Sequence, residues 1–544
     1  MDKINNKYLV VFISYFCVWA LTRFSALNAN ALQMDDFLIA HMNVRGVDDI
    51  SNAFITGNFS CKFPPQDGRW GAATLFCILA GFSPNWVLML WPKLLAGLSL
   101  SLFCTLLCRR FVLDGVGLLG AVLLPLLIMT HPTVNDITLW NTPFVAAVWM
   151  TACILAFEIV QTKPADVRYV AVSFVLLLVV VLSYEIFFTV FVVLVVYFVL
   201  GGVLLERGPR RDQLIAYLVL LIALPLIYIS MALLSKALGG EGRGFAEFNG
   251  VGAFLSYKFH GITNLLANVF VPVMSYYLPS SLSFRIYKWL FVLLLVAVYL
   301  CAYLARHDWK FATASAAVVM TIMAVPLAPI MLMQQNPEAW RVSIPTVFAF
   351  VLSLSLVLRL ANSGGRVGIK NQNRINAVSS IVLLGLIVIQ IIPTNAEAKL
   401  RALENEADQR LVAQIHQAKK SPSEKSDPKI SLIVDNESRG IGSIYENHPA
   451  TGMTTAFTPR GVNSAFSHFF SWRSFLFLLG METVEIQDDR VWTQKICKRD
   501  SLGCELQLEK KARNQCKEEY FYLDKVTGMR LTSLDDENLI VVCH

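Results

Sequence analysis

Two adjacent carboxylates, Asp35 and Asp36, stand in the stretch QMDDFLIAHMNVRG, just after the first long apolar run of the chain. A second polar stretch, PPQDGRW, adds Asp67, Arg69 and Trp70. A positioned carboxylate can take the proton of a hydroxyl that is otherwise a poor nucleophile. A guanidinium can hold a phosphate that gains negative charge as it departs. Neighbouring aspartates on a helix point about 100° apart, so one of the pair suits the base, and the other suits an N-cap or a substrate contact. Whether these groups can meet a substrate depends on the elements that carry them and on the side of the membrane they face.

The chain has 544 residues, of which 55% are hydrophobic and only 16% charged, with a mean hydropathy of +0.55. Soluble proteins carry about a quarter charged residues. Apolar runs of roughly 20 residues, long enough to cross a ~30 Å hydrocarbon core as helices, recur along most of the sequence. The composition therefore describes an all-α polytopic membrane protein. The net charge of +7 sits largely in short links between runs, which is a topological signature and no sign of a nucleic-acid partner. The first run, Tyr8 to Leu27, follows Lys3 and Lys7, lacks a small-residue cleavage site and reads as an uncleaved helix.

Eleven spans are predicted, at 8–27, 86–108, 111–130, 142–160, 169–183, 187–205, 213–235, 286–305, 311–333, 343–360 and 376–393. The run 169–205 is too long for one crossing and is basic at both flanks, so it is predicted to be a hairpin with its tip at Ser183 to Phe187. With this count, Arg109–Arg110, Lys163/Arg168, Arg207/Arg210/Arg211, Arg306/Lys310 and Arg366/Lys370/Arg374 all fall in cytoplasmic links, whereas HPTVNDITLWN on the opposite side has no Lys or Arg. The positive-inside rule then places the amino terminus in the cytoplasm. The long first loop, 28–85, and everything after about residue 394 lie outside.

Three regions follow: a membrane domain at 1–393, a charged helix and linker at 394–429, and a small α+β domain at 430–544. The linker region opens with Leu400, Leu403, Ala407 and Leu411 at helical spacing, and SPSEKSDPK reads as the break after it. Beyond it, ISLIVD, TVEIQ and LIVVC are expected strands. Six of eleven cysteines (Cys17, Cys77, Cys104, Cys108, Cys153, Cys301) lie in apolar segments, where the thiol acts as a small hydrophobe. Cys497, Cys504, Cys516 and Cys543 form an even set in the tail, which suits disulfides in an oxidising compartment; zinc is the rival reading. Cys61 is left over in the first outer loop.

On the outer side, further polar groups come from several loops: Asp136 and Asn141, Tyr184 and Glu185, Arg243, Lys288, Glu338 and Arg341, with Trp70, Trp140 and Trp340 among them. Together these suit transfer of a sugar from a lipid phosphate, with acids for the acceptor hydroxyl, cations for the phosphate and aromatic faces for the sugar. Nucleotide sugars are not regenerated outside the cell, so the activated sugar has to arrive on a lipid. Plainer roles stay open for each group. Trp residues at helix ends anchor the interface, Arg341 can snorkel to headgroups, and Glu185 at an apolar tip needs either a partner or a task. Asp48 and Asp49 read as ordinary surface. The other classes weighed are a glycan polymerase or ligase and a transporter, the latter expected to show charges or broken helices near mid-bilayer.

MDD after the first span, DGRW in the same loop, LWN at Leu139 to Asn141 and the SYE hairpin together resemble the GT-C membrane glycosyltransferases. The closest likeness is to bacterial glucosyltransferases that decorate O-antigen and convert serotype. The resemblance covers roughly 1–393 in layout. It implies an inner-membrane enzyme that moves a hexose, usually glucose, from undecaprenyl phosphate to the O-antigen of lipopolysaccharide, with inversion. It maps the base onto Asp35 or Asp36 and the DGR stretch onto Asp67, Gly68 and Arg69. Arg69 and Arg341 would hold the phosphate, with Trp70, Asn141, Tyr184, Glu185 and Glu338 contacting substrate. No cofactor is implied, and a divalent metal is not required. This chain departs from the usual pattern at Ile39 and Ala40, with Arg45 the first cation, and carries Tyr184–Glu185 where many members of the family have Tyr-Gln.

The topology is directly testable. In a protein whose other cysteines are replaced by serine, Cys61 should react with a membrane-impermeant maleimide added from the periplasmic side. Labelling only after the inner membrane is breached would place 28–85 in the cytosol.

Overall fold

In hydrocarbon a backbone N–H or C=O without a partner costs several kcal/mol, so long apolar runs fold as helices. The computed structural model describes residues 2–31, 74–139, 144–237, 258–328, 343–363 and 369–419, without 77, 80, 81, 84, 85, 207, 260, 264 and 279, and four strands in the tail. In chain order the helices are α1 (Asp2–Thr22), α2 (Phe24–Asn28), α3 (Trp91–Leu113), α4 (Leu118–Met129), α5 (Asn135–Thr138), α6 (Val145–Thr162) and α7 (Val167–Ser183). They continue with α8 (Glu185–Leu204), α9 (Arg211–Ala237), α10 (Val271–Met274), α11 (Ser280–Arg306), α12 (Trp309–Ala324), α13 (Ile344–Ser363) and α14 (Ile369–Lys419).

Local chemistry sets many of these boundaries. Pro92 occupies the first turn of α3, where its missing N–H costs nothing. Asp166 and Asp308 cap α7 and α12 by accepting from the Arg168 and Lys310 N–H groups at 3.0 and 2.9 Å. α3 stops where Gly115 takes φ 86°. There the Val116 N–H donates to the Phe111 carbonyl and the Gly115 N–H to that of Val112, at 2.9 and 3.1 Å, which closes a Schellman turn.

Among the described residues, eight helices are long and apolar enough to cross a membrane, or nine if α4 and the following segment to Thr138, bent by 59°, form one broken span. Each of the eleven predicted runs overlaps a described helix, but 111–130 straddles the turn at Gly115, residues 142, 143 and 329–333 lie outside the described residues, and the apolar helices Asn6–Thr22 and Val167–Ser183 are shorter than the eight. α7 and α8 form the expected hairpin, with Tyr184 alone between them. α13, α8, α6 and α3 form the centre and bury 72, 67, 61 and 56% of their most apolar windows, against 22 and 17% for α9 and α11. The outer pair exposes Ile215, Leu218, Val219 and Ile222 on α9 and Trp289, Leu293, Leu300 and Leu304 on α11. Water would not tolerate so large an apolar surface, and lipid does. The fold is that of a helical membrane protein.

The helix ends sort into two groups. The upper end carries the last residues of α1, the α4–α5 bend and the start of α3, joined by bonds such as Arg23 to the Met129 carbonyl and Lys93 to the Ala31 carbonyl. The lower end carries the ends of α3, α6, α8, α11 and α13, joined by pairs such as Arg110–Glu158 and Arg306–Glu206.

The boundary expected at 393/394 falls inside an unbroken element, because α14 runs for 51 residues with Pro393 in its interior. A proline there leaves the carbonyl four residues earlier without its helical donor. That carbonyl, on Ile389, accepts from the Tyr277 hydroxyl at 2.9 Å. An outside donor thus offsets the break, and the last apolar run and the charged segment are one helix.

In the tail, β1 (Ser431–Val434), β2 (Glu485–Asp488), β3 (Tyr520–Asp524) and β4 (Leu539–Cys543) form one sheet in the order β2-β1-β4-β3. β1 lies parallel to β2 and antiparallel to β4. Three of these strands fall on the expected apolar stretches, and β3 was not anticipated. Cys17, Cys104, Cys108, Cys153 and Cys301 are free thiols, while Cys61, Cys497, Cys504 and Cys516 lie outside the described residues.

α1 and α3 approach closely because Gly97 faces the buried Trp19 ring. A Cβ at residue 97 would lie 2.4 Å from that ring. Trp19 is fully buried and has no room to yield. Gly97→Ala should therefore destabilise the protein by about 1–3 kcal/mol, read as earlier thermal unfolding in detergent, with partial recovery in a Gly97→Ala/Trp19→Phe double variant.

Candidate functional site

Among the predicted site residues, Tyr184 and Glu185 are described. Tyr184 links α7 to α8, half-buried, with its ring 5.5 Å from that of Phe187. Glu185, also half-buried, opens α8, where the positive end of the helix dipole favours an acid. Asp35, Asp36, Asp67, Arg69, Trp70, Asn141, Glu338 and Arg341 lie outside the described residues. What is described is the ground from which those segments leave.

That ground is a polar layer at the upper end, and it begins at the break between α4 and α5. The bend at His131–Pro132 leaves the Met129 and Thr130 carbonyls without continuing helix to satisfy them. Arg23 Nη2 donates to the first at 2.9 Å, and Thr394 Oγ1 to the second at 2.6 Å. His131 Nε2 lies 2.9 Å from the Val269 carbonyl, and its Nδ1 accepts from the Thr133 N–H at 3.3 Å, an arrangement that assigns the proton to Nε2.

Just beyond the bend, Arg401 of α14 joins two acids. Its Nη2 donates to Asp136 Oδ1 at 3.0 Å and to Glu397 Oε1 at 2.7 Å, and its Nε to Glu397 Oε1 at 3.1 Å. Asn135 Nδ2 donates to Glu397 Oε2 at 2.7 Å. Arg23, Asp136, Glu397 and Arg401 are each at most 1% exposed. Two carboxylates against two guanidiniums make this group neutral, as burial in a low-dielectric interior requires. Asp136, expected to face the outer cavity, is instead committed to Arg401.

Beside this network the chain exits α2 toward the predicted acid pair. Asn30 adopts φ 44°, and Lys93, fully buried, meets the exit from the first turn of α3. Leu139, two residues before the predicted Asn141, packs in one cluster with Ala26, Ala31 and Ala398. In the main core Trp86 stacks on Phe76 at 5.4 Å and meets Phe144 edge-on at 5.8 Å. Asp35 and Asp36 therefore follow, and Asn141 adjoins, described residues that touch one another.

A second polar layer closes the lower end. Arg110 pairs with Asp114 at 2.9 Å and lies over the Phe198 ring at 4.8 Å; Arg359 donates to the Tyr197 hydroxyl at 3.2 Å. Its groups bond to one another, and they tie the ends of α3, α8 and α13 together. Among the described residues no three of His, Cys, Asp and Glu are grouped to hold a metal ion.

Sequence reasoning missed Arg23, Lys93, Glu397 and Arg401. The available signal was the four-residue spacing of Glu397 and Arg401, which reads equally as a solvated pair on a helix surface. Replacing Arg401 by Met leaves two buried carboxylates without their cation, so Arg401→Met should cost about 3–5 kcal/mol in thermal or denaturant unfolding. A loss below about 1 kcal/mol, the range of exposed pairs, would mean that water reaches the network.

No family model matches this chain, and no curated protein matches it either.

Proposed function

We propose that the protein is an inner-membrane glycosyltransferase that moves a hexose, glucose in the favoured form, from undecaprenyl phosphate to a periplasmic glycan acceptor, the O-antigen of lipopolysaccharide. The observation that carries this reading is the convergence of chain exits at the upper end. The segment bearing Asp35 and Asp36 leaves from Ala31, which packs with Leu139, the residue from which the chain runs on to Asn141. Tyr184 and Glu185 open α8 at the end opposite Glu206 and its partner Arg306. Further support comes from the lower end, which gathers Arg109, Arg110, Lys163, Arg168, Arg210, Arg211, Arg306 and Lys310 at helix termini. By the positive-inside rule that end is cytoplasmic and the upper end periplasmic. In this reading the chain crosses the membrane eleven times, counting the broken span and the two shorter apolar helices, and the tail forms a periplasmic α+β domain.

The reaction needs few parts. Asp36 or Asp35 takes the proton of the acceptor hydroxyl. The hydroxyl oxygen attacks the anomeric carbon in line and forms the new glycosidic bond as the bond to the phosphate oxygen breaks, which inverts the centre. Undecaprenyl phosphate leaves with the bonding electrons, and Arg69 and Arg341 stabilise its charge. Trp70, Asn141, Tyr184, Glu185, Asp67 and Glu338 orient donor and acceptor. The activated lipid supplies the driving force, and the prenyl chain lies along the apolar helices.

The test compares surface polysaccharide with and without the protein by mass and linkage analysis, and follows transfer from undecaprenyl-phosphate glucose in membranes. The wild type should add one hexose per acceptor unit. The Asp35→Ala/Asp36→Ala variant, expressed at the wild-type level, should lose about 10²–10⁴-fold in rate, the range of a general base. Full transfer by that variant would refute the assignment of the base.

A further inference from the structure

Residues 29–31, the last described before the acid pair, are gripped from three sides. Lys93 Nζ donates to the Ala31 carbonyl at 2.6 Å and to Asn30 Oδ1 at 3.1 Å. Asn30 Nδ2 donates to the Leu88 carbonyl at 3.0 Å. Asn405, twelve residues past Pro393 on α14, donates from Nδ2 to the Ala29 carbonyl at 3.2 Å. Ala398 adds an apolar contact to Ala26 and Ala31.

The physical need for these partners is local. Once the chain leaves α2 through a left-handed Asn30, the following carbonyls lose the helical ladder. Side chains that reach them then fix the direction in which the chain departs. A lysine at 0% exposure makes its charge-assisted bonds without competing water, so they hold tightly. Asn405 is 8% exposed and lies one turn beyond Arg401, whose bonds to Asp136 and Glu397 immobilise this part of α14. The grip on residue 29 is therefore anchored in the buried network.

We propose that the stretch of α14 beyond Pro393 is a scaffold of the candidate site, and that Asn405 and Lys93 are positioning residues which together set where the acid-bearing segment leaves the bundle. Its functional meaning rests on the transferase reading above. The charged helix is then no mere spacer to the tail, since one of its faces belongs to the membrane domain. Neither residue does chemistry; each limits how far the base can stray from the line of attack. Loosening the clamp should lower kcat while leaving the donor KM nearly unchanged, because phosphate and lipid are held elsewhere.

The experiment uses the full-length protein in lipid nanodiscs, with Lys93→Met, Asn405→Ala and Asn30→Gly compared with wild type. Gly tolerates the φ of Asn30, so the third variant removes that residue's side-chain bonds without straining the turn and serves if Lys93→Met does not fold. Backbone amides in 26–31 should exchange with deuterium at least fivefold faster in each variant, while those of α8 and α13 stay unchanged. With undecaprenyl-phosphate glucose as donor, kcat should fall at least tenfold for Lys93→Met and about threefold for Asn405→Ala, with KM changed less than twofold. Wild-type exchange in 26–31 would overturn the clamp, and faster exchange with an unaltered kcat would overturn its positioning role. A wild-type protein that exchanges as expected yet transfers no sugar would sink the transferase reading and leave the clamp standing.

Discussion

A bend in a membrane helix exposes backbone carbonyls where no water can reach them, and the upper half of this protein is organised around that one cost. Arg23 and Thr394 reach the two carbonyls freed at the α4–α5 break. Arg23 brings a buried positive charge with it, and the charge balance extends to Glu397, Asp136 and Arg401. The polar layer is thus the consequence of a broken helix, and it fastens α1, α4 and α14 at one level. A continuous α4 would need neither guanidinium.

The two polar layers do different work. At the lower end Arg110, Asp114 and Arg359 pair across helix ends, beside the rings of Phe198 and Tyr197. That arrangement suits rigid packing. At the upper end Lys93 and Asn405 spend their bonds on a chain exit. A rigid floor below and a fixed exit above would suit the reacting centre proposed for the upper side, since misplacement of a base by about 1 Å can cost on the order of 10² in rate.

Hydropathy made the helices legible because each run has to satisfy its own backbone in lipid, and charge bias made the two ends legible for a related reason. The α7–α8 hairpin was readable from its basic flanks, and it turns on Tyr184 as expected. The boundary at 393/394 was not readable. Proline followed by a charge-rich segment looks like a stop, and only the Tyr277 hydroxyl, more than a hundred residues away in sequence, shows why the helix continues. Lys93 was hidden for a similar reason, since a lysine at the edge of an apolar run ordinarily snorkels to the headgroups. Asp136 looked like a loop acid because its partner lies in a distant segment. Pairing across long separations leaves no trace in local composition.

That separation has a consequence for biogenesis. Arg401 follows Asp136 by 265 residues. At about 5–20 residues per second of synthesis, Asp136 waits on the order of tens of seconds before its cation emerges from the ribosome. During that interval Arg23 is already present to balance the charge, but Asp136 lacks the guanidinium that bonds it, so the short segment after the α4 break is not yet fastened to α14. The last long helix therefore closes the assembly: a nascent chain cut short before residue 401 would hold the earlier helices and still lack the bonds that fasten the α4–α5 bend to α14.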